Sequence, residues 1–340
     1  MTSSECLAVQ RTKTAYAPDE RVTCLEVDVN TPERGKNGPV ALSGIVQTDH
    51  LRRAVVDAVE RASVHEVRDE LAVLEDGSEP RTTDRRVLSV RGEPGEGAEQ
   101  VTSLLYGASV TAFDERDGWR RVRTPSGYLG WVDGGALTSV TGSTRDEWIP
   151  DAVVTAAPAD VIEESETTLE TVPTGVDCRL ESRADDGDEI LVSFRTGARA
   201  TLPASCVRER RPIGTGDDVV SVTRQFLETP YEWGGMTPAG IDCSGLVWVS
   251  YAAAGVSLPR DADQQSTMGT DVDRDDLAPG DLLFFPGHVA ISLGGSEYVH
   301  ASGSADAVTV NSLDPEDERY LESLDESMSA TRRLLPEDRP

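Results

Sequence analysis

Lysine is almost absent from this 340-residue sequence, in which only Lys13 and Lys36 occur and every other basic residue is an arginine. Acidic residues outnumber basic residues by 61 to 32, which gives a formal net charge of −29 spread along the whole chain. A field of that sign repels nucleic acid and anionic lipid, so we expect neither as a partner. Because salt screens the self-repulsion of such a charge, we interpret it as a halophilic adaptation.

Long apolar runs are missing as well. The sequence contains no stretch of about 18 apolar residues, so we expect no membrane span. Its first 20 residues lack the basic start and the apolar core of a secretory signal. The five cysteines are an odd number in a chain long enough to bury a core, which argues against a disulfide framework. Together these absences predict a cytoplasmic protein in a reducing compartment.

The N-terminal segment, residues 1–85, has the least regular pattern. Residues 1–40 show no sustained periodicity, and we predict no regular structure for them. Within residues 51–62 the apolar side chains recur at spacings of three and four, which predicts an amphipathic helix. The same stripe continues through residues 64–74 and indicates a second helix. The pattern assigns no function to this segment.

Short β-like runs punctuated by glycine dominate the middle of the chain. They fill residues 86–140 and, more weakly, residues 150–211, and they predict two small β-barrels in succession. Residues 217–335 begin with two helical runs, the first expected to be capped at Asp217 or Asp218. Strand-like runs and a late helical run follow. Helices followed by an antiparallel sheet predict an α+β domain.

One cysteine has a position suited to chemistry. Cys243 lies in the stretch GIDCSGLVWVSYAAAG, at the point where an alanine-rich helical run begins. A helix N-terminus lowers the pKa of a thiol and presents free N–H groups that can hold an oxyanion. We therefore interpret Cys243 as a nucleophile, with the N–H groups near Cys243 and Ser244 as the oxyanion site. The alternative is a buried and inert thiol, which is common for free cysteine.

The chain has only four histidines, of which His50 and His65 fall in the predicted N-terminal helices. His288 and His300 fall in strand-like runs that are joined around the sequence LGGSE. Their relative orientation depends on the length of the turn between the strands, because side chains alternate between the two faces of a sheet.

Two turns are compatible with this sequence. A two-residue loop at Gly294–Gly295 would place the two histidines on opposite faces of the sheet. A three-residue loop, Gly294–Ser296, pairs Ala290 with His300 and places His288 diagonally opposite on the same face. In the second case one ring can take the proton of the cysteine while the other ring orients it, as in a cysteine hydrolase.

A zinc site built from Cys243, His288 and His300 is an alternative for the same residue types. The close ligand spacing that is typical of metal sites is missing, so we expect no metal and no cofactor. The sequence does not determine the oligomeric state.

The C-terminal region resembles a known family. TPYEWGGMTPAGIDCSGLVWVSYAAAGVSLPRDADQQ, followed by LAPGDLLFFPGHVAISLGGSEYVHAS, is similar to the NlpC-type cysteine peptidases of bacterial cell-wall metabolism over about residues 217–335. The resemblance implies a papain-like α+β domain in which Cys243 is the nucleophile, His288 the base and His300 the orienting residue. The same motifs imply residues near the reacting atoms (Tyr231, Asp242 and Ser244) and residues that contact substrate (Trp233 and Arg260).

The two β-segments look like bacterial SH3-like domains placed ahead of the peptidase domain. This arrangement is similar to the γ-D-glutamyl-L-diamino acid endopeptidases, in which the first SH3-like domain closes one end of the cleft. The resemblance implies that Tyr128 and Asp261 bind the N-terminal amine of the substrate, since a desolvated ammonium needs a carboxylate and oriented acceptors. Ala108 departs from the pattern, because these relatives usually carry glutamate there.

The expected function is that of a cysteine peptidase in cell-wall peptide recycling. It would hydrolyse γ-D-glutamyl-diamino acid bonds in short murein-type peptides that carry a free N-terminal L-alanine, through a thioester. Two alternatives remain open. One is an amidase or acyltransferase that uses the same Cys-His-His set, and the other is a peptide-binding SH3-like protein whose catalytic domain is idle.

Overall fold

Four sheets of three or more strands follow one another in the part of the chain that the computed structural model describes, which comprises residues 3–32, 38–140, 148–156, 162–163, 172–184, 187–210 and 212–335. They contain three, seven, six and six strands in chain order. We refer to the corresponding parts as the N-terminal domain (3–74), the first barrel (79–139), the second barrel (152–209) and the C-terminal domain (212–335). Within the described ranges, no helix combines the length and the apolar character needed to span a bilayer.

The N-terminal domain is a three-stranded sheet packed against two helices. Its elements are α1 (Ser4–Tyr16), β1 (Leu25–Asn30), β2 (Val40–Val46), α2 (Asp49–Ala62) and β3 (Val67–Val73). β1 is antiparallel to β2, and β2 is parallel to β3. α2 therefore serves as the crossover that a parallel pair of strands requires.

Two predictions for this domain are wrong. Residues 1–40 contain α1 and β1, although no regular structure was expected. α1 buries Glu5, Val9 and Thr12. Because only one of these side chains is apolar, the buried face of the helix cannot be recognised as a hydrophobic stripe in the sequence. The predicted second helix is the strand β3, which pairs with β2 along its whole length. The predicted helix over residues 51–62 is confirmed as α2.

The first barrel is a seven-stranded antiparallel sheet in the order β10-β4-β7-β8-β9-β5-β6. Its strands are β4 (Glu79–Thr82), β5 (Val87–Arg91), β6 (Gln100–Leu105), β7 (Val110–Arg116), β8 (Trp119–Arg123), β9 (Leu129–Asp133) and β10 (Thr138–Ser139). β4 pairs with β7, so the sheet begins at Glu79, ahead of the boundary expected at residue 86. Ala108 packs against the apolar core of this barrel.

The second barrel is a six-stranded sheet in the order β12-β15-β14-β13-β11-β16. Its strands are β11 (Ala152–Val154), β12 (Ile162–Glu163), β13 (Asp177–Arg183), β14 (Glu189–Ser193), β15 (Arg199–Pro203) and β16 (Val207–Glu209). Ile190, Val192 and Phe194 belong to the same buried cluster as Leu246 and Val249 of the C-terminal domain. The two parts therefore share a hydrophobic core.

The C-terminal domain packs helices against a six-stranded sheet in the order β19-β24-β20-β21-β22-β23, which confirms the predicted α+β class. Its helices are α3 (Gly216–Arg224), α4 (Cys243–Ala253), α5 (Ala262–Gln265) and α6 (Glu322–Ser327). Its strands are β17 (Met236–Thr237), β18 (Gly240–Ile241), β19 (Thr270–Asp271), β20 (Leu282–Phe285), β21 (His288–Gly294), β22 (Glu297–Ser302), β23 (Ala307–Ser312) and β24 (Ala330–Arg333).

The start of α3 differs from the prediction. The cap is Thr215, whose Oγ1 accepts a hydrogen bond from the N–H of Asp218 at 3.3 Å. The carboxylate of Asp218 accepts in return from the N–H of Thr215 at 2.8 Å. Asp218 is thus the third helical residue of a reciprocal capping box and not the cap itself.

Candidate active site

Cys243 is the first residue of α4, and its position is set by the residue before it. Asp242 caps the helix, and its Oδ1 accepts from the N–H of Gly245 at 2.6 Å. The backbone N–H groups of Val289 and Ser244 act on the Cys243 thiol and lower its pKa, so the sulfur lies near the start of α4 and the start of β21. The residue is only 6 % exposed.

Arg260 is predicted to contact substrate, and the structure corrects this prediction. The side chain is 1 % exposed and forms a buried ion pair with Asp242, with Nη2 at 2.6 Å from Oδ2. Its remaining donors bond Ser244 Oγ at 2.8 Å and, across the domain boundary, Thr102 Oγ1 of the first barrel at 2.8 Å. Burial in a saturated network removes Arg260 from substrate and makes it the group that fixes Asp242. Removing one partner of such a pair costs about 3–5 kcal/mol, because a charge is left buried alone.

The two C-terminal histidines form one hydrogen-bonded chain with a third side chain. His288 Nε2 lies 2.7 Å from His300 Nδ1, and His300 Nε2 lies 3.0 Å from Asn311 Oδ1. Asn311 Nδ2 donates to the backbone carbonyl of Arg319 at 2.9 Å. All three side chains therefore lie on one face of β21, β22 and β23.

The donor and the acceptor in each of these hydrogen bonds follow from the last bond of the series, between Asn311 and the Arg319 carbonyl. A carbonyl oxygen only accepts, so the Arg319 carbonyl fixes the amide of Asn311 with Oδ1 toward His300. His300 Nε2 must then carry its proton, and His300 Nδ1 accepts from His288 Nε2. Nδ1 of His288 is left unprotonated, and it is the ring nitrogen available to receive a proton from a thiol.

The turn between β21 and β22 aligns the two histidines with the help of a β-bulge that the sequence did not indicate. Ile291 pairs with Val299, the register that sets Ala290 opposite His300, as predicted. Gly294 pairs with Glu297, so the loop is two residues long and a β-bulge between Ser292 and Gly294 supplies the extra residue. The predicted face is therefore correct, while the predicted three-residue loop is wrong.

Burial dominates the electrostatics of the site. It raises the pKa of the Cys243 thiol to about 11, with the charge of Asp242 acting in the same direction. It lowers the pKa of His288 to about 4, with the charge of His300 as a smaller cause. The expectation that the helix start lowers the pKa of the thiol is thus overturned by desolvation. Both shifts favour the uncharged form of the group, the thiol of Cys243 and the neutral imidazole of His288.

Two further predicted residues lie on the loop that precedes Cys243. Tyr231 is close enough to the thiol for the charge of Cys243 to affect it, and burial raises the pKa of its phenol to about 12, so the hydroxyl is a proton donor at neutral pH. Trp233 is 59 % exposed, and its carbonyl accepts from Gln100 Nε2 of the first barrel at 3.3 Å. The indole thus lies at the boundary between the first barrel and the C-terminal domain, where a ligand can contact it.

Tyr128 and Asp261 approach each other across the same boundary. Tyr128 is buried, and its phenol pKa is raised to about 12, first by desolvation and then by the negative charge of Asp261. Asp261 lies at the N-terminal cap position of α5, and its Oδ2 accepts from Arg21 Nη1 at 2.8 Å. Burial raises the pKa of Asp261, while the charges of Arg260 and Arg21 oppose that rise.

Sequence reasoning missed two members of this neighbourhood, Asn311 and Arg21. The signal for Asn311 was present, because β23 reads AVTVNS and an asparagine is the one amide in an otherwise β-rich run. Arg21 had no signal, since it lies 240 residues from its partner Asp261. In the described ranges, no group of three or more His, Cys, Asp or Glu side chains has the geometry of a metal site.

Comparisons with known proteins match two parts of the chain to described families. Residues 228–323 match the NlpC/P60 family, and residues 86–138 match the bacterial SH3 domain family. A crystal structure of an NlpC/P60 family protein from Bacillus cereus superposes with a TM-score of 0.66 at 23 % identity, covering 76 % of this chain and all of that chain. That likeness concerns the fold.

Two curated proteins extend the comparison over most of the chain. One is the dipeptidyl-peptidase 6 of Lysinibacillus sphaericus, 33 % identical over an alignment of 264 residues that covers 73 % of this chain and 97 % of that protein. The other is the gamma-D-glutamyl-L-lysine dipeptidyl-peptidase of Bacillus cereus, 28 % identical over an alignment of 263 residues that covers 69 % of this chain and 75 % of that protein.

Proposed function

The chain belongs to the NlpC/P60 family and is a cysteine-type peptidase, and from that premise we propose that it hydrolyses γ-D-glutamyl-diamino acid bonds in short murein-type peptides with a free N-terminal L-alanine. Relatives from Bacillus cereus and Bacillus subtilis that are named gamma-D-glutamyl-L-lysine dipeptidyl-peptidases support this substrate class. The observation that carries the proposal is the oriented series of hydrogen bonds from Asn311 through His300 to His288, whose neighbour Val289 acts on the Cys243 thiol through its backbone N–H.

The first half of the reaction forms a thioester. Cys243 Sγ attacks the γ-carbonyl carbon of the D-glutamyl group as its proton passes to Nδ1 of His288, and a C–S bond forms. The imidazolium of His288 then gives this proton to the nitrogen of the diamino acid, and the C–N bond breaks. In the second half His288 deprotonates a water, which attacks the thioester, releases L-Ala-D-Glu and restores the thiol.

Three groups support stabilisation of the tetrahedral intermediate. The N–H groups of Cys243 and Ser244 lie in the first turn of α4, where no backbone carbonyl of the helix accepts from them. Tyr231 adds a protonated phenol next to the sulfur. Donors that are already oriented in a buried site favour the oxyanion without reorganisation, and removing one such donor typically costs about 10²–10³ in kcat.

Recognition of the free amine is assigned to Asp261 and Tyr128. Asp261 supplies a carboxylate that lies near the reacting residues, since its neighbour Arg260 bonds Asp242 and Ser244. Tyr128 supplies a phenolic oxygen from the first barrel. Trp233 supplies an exposed aromatic surface beside the same boundary. A carboxylate and an oriented oxygen are what a partly desolvated ammonium requires.

The test compares L-Ala-γ-D-Glu-diaminopimelate with its N-acetylated form, with products identified by mass. Cleavage at the γ-D-glutamyl bond should release L-Ala-D-Glu, and acetylation should lower kcat/KM by about tenfold for each 1.4 kcal/mol of lost binding. Asp261→Asn should reproduce much of that loss on the free-amine peptide and change little on the acetylated peptide. Equal cleavage of both peptides by the wild type would reject amine recognition, and cleavage at another bond would reject the proposed activity.

A further inference from the structure

The N-terminal domain contacts the C-terminal domain through a short turn that contains Arg21. Arg21 follows the end of α1, and its Nη1 donates to Asp261 Oδ2 at 2.8 Å and to Asp263 Oδ1 at 2.8 Å. Its Nη2 donates to Asp263 Oδ2 at 2.7 Å, and its Nε donates to Asp19 Oδ1 at 2.9 Å. One guanidinium is thus held by three carboxylates, one from its own turn and two from α5 and its cap.

The same turn is tied to both neighbouring domains by other contacts. The carbonyl of Arg21 accepts from the N–H of Leu129 in the first barrel at 2.6 Å. Asp19 Oδ2 accepts from Gln264 Nε2 of α5 at 2.8 Å. The turn therefore lies where the three domains meet, next to Tyr128. The charges of both Asp261 and Arg21 act on the pKa of the Tyr128 phenol.

The charge balance of this cluster decides between two roles for Arg21. If Arg21 occupied the position of the substrate ammonium, its positive charge would neutralise the carboxylates. The Arg21 side chain would then have to move away before the substrate could bind. Three carboxylates against one guanidinium leave two negative charges unmatched, so a further cation is still attracted after Arg21 has bound. A planar guanidinium with fixed donors also holds a carboxylate in one orientation, which a flexible ammonium does not do.

We propose that Arg21 is a positioning residue for substrate recognition, which keeps the Asp261 carboxylate ionised and oriented toward the substrate ammonium, so that the N-terminal domain completes the amine-binding end of the cleft. This inference rests on the proposed function, in which Asp261 pairs with the ammonium. Without Arg21 the carboxylate keeps its burial but loses a fixed positive partner, and protonation then competes with substrate binding.

The test measures kcat and KM of the full-length protein and its variants on the free-amine and acetylated peptides. Arg21→Ala should raise KM for the free-amine peptide by about tenfold or more, the usual effect of losing a hydrogen bond to a charged group, with kcat nearly unchanged. KM of this variant should rise further as the pH falls, because Asp261 becomes easier to protonate. Its kcat/KM for the acetylated peptide should equal that of the wild type.

The chain offers a matched control in the same domain. Arg52 is 38 % exposed and pairs with Asp69 at 2.8 Å, and Arg21 is 33 % exposed with the same ion-pair distance to Asp261. Arg52→Ala should leave both peptides unaffected. Arg21→Lys keeps the charge without the forked geometry of the guanidinium. Its KM for the free-amine peptide should lie between that of the wild type and that of Arg21→Ala. Should Arg21→Ala fail to fold, Asp263→Asn loosens the same guanidinium, and a KM increase confined to the free-amine peptide supports the inference.

Three results would overturn the inference while leaving the proposed function intact. A lower KM in Arg21→Ala would show that Arg21 competes with the ammonium. Kinetics that match those of Arg52→Ala would show that Arg21 has no part in recognition. An equal loss of kcat/KM on both peptides would show that the turn only stabilises the contact between the domains. If the wild type does not distinguish the two peptides, amine recognition itself fails and this inference fails with it.

Discussion

At the residue scale, the order of hydrogen bonds from Arg319 to His288 determines which nitrogen of His288 is free to accept a proton. The Arg319 carbonyl orients Asn311, Asn311 sets the tautomer of His300, and His300 sets that of His288. Because burial favours the uncharged thiol and the uncharged imidazole, we expect the proton to move during the attack on the substrate. A base with the wrong tautomer would have no lone pair facing the thiol.

Asn311→Leu tests this chain, since leucine keeps the approximate size of asparagine and removes the acceptor. His300 then loses the bond that fixes its tautomer, and we expect kcat to fall by about 10²-fold or more, as in other triads whose tautomer is disturbed. KM should stay near the wild-type value, because Asn311 is joined to His288 only through His300 in this series of hydrogen bonds. Asn311→Asp keeps an acceptor and should retain more activity than Asn311→Leu. Equal kcat in the wild type and Asn311→Leu would contradict the claim that Asn311 sets the tautomers of the two histidines.

At the element scale, the turn between β21 and β22 decides whether the two histidines meet. Gly294 has φ +95°, and a side chain there would lie 3.3 Å from Pro279. Gly295 has φ +61°, a left-handed conformation that asparagine tolerates, and a Cβ there has no neighbour within 4 Å among the described residues. Only the first glycine is therefore required by the bulge.

Replacing each glycine by asparagine separates these positions. Gly294→Asn should lower the free energy of unfolding by roughly 2 kcal/mol and reduce kcat, because it strains the bulge that aligns His288 with His300. Gly295→Asn should change the free energy of unfolding by less than about 0.5 kcal/mol and leave kcat unchanged. Urea unfolding and peptide hydrolysis measure the two effects. The argument is wrong if both variants behave alike.

The elements that sequence reasoning found are those whose buried side chains are apolar and periodic. α2 and α4, and the strands that carry the two histidines, show such patterns. α1 does not, because Glu5 and Thr12 take two of its three buried positions. In β3 the spacing of apolar residues fits a helix, and only its parallel pairing with β2 makes it a strand. Local periodicity carries no information about a partner strand, so this error could not be avoided from sequence alone.

At the scale of the whole molecule, the predicted amine site is a junction of three domains. The position of Cys243 at the start of a helix and the contact of the two histidines could be predicted, since motifs within one domain contain them. The contact of Arg21 with Asp261 joins residues 240 positions apart, and no local pattern selects one arginine among so many. The burial of Arg260 was missed for the same reason, because Thr102 in another domain completes its bonds.

The net charge of −29 leads to a prediction about the stability of the whole chain. The Debye length falls from about 10 Å at 0.1 M salt to about 3 Å at 1 M, so added salt should weaken repulsion between distant carboxylates. Salt also weakens ion pairs, but with 61 acidic and 32 basic residues the repulsion dominates. The melting temperature should therefore rise from 0.1 M to 3 M potassium chloride. Equal melting temperatures would contradict the halophilic interpretation.

Hydrolysis of L-Ala-γ-D-Glu-diaminopimelate by Cys243→Ala is the most direct test of the central claim, that Cys243 is the nucleophile. We predict that nearly all hydrolysis is lost while the melting temperature stays close to that of the wild type, because the thiol makes the bond to the substrate. Cys178→Ala is the matched control, since Cys178 is also a buried thiol whose pKa is raised by burial, and it lies in the second barrel. That variant should keep its activity. Hydrolysis by Cys243→Ala at more than a few per cent of the wild-type rate would contradict the mechanism.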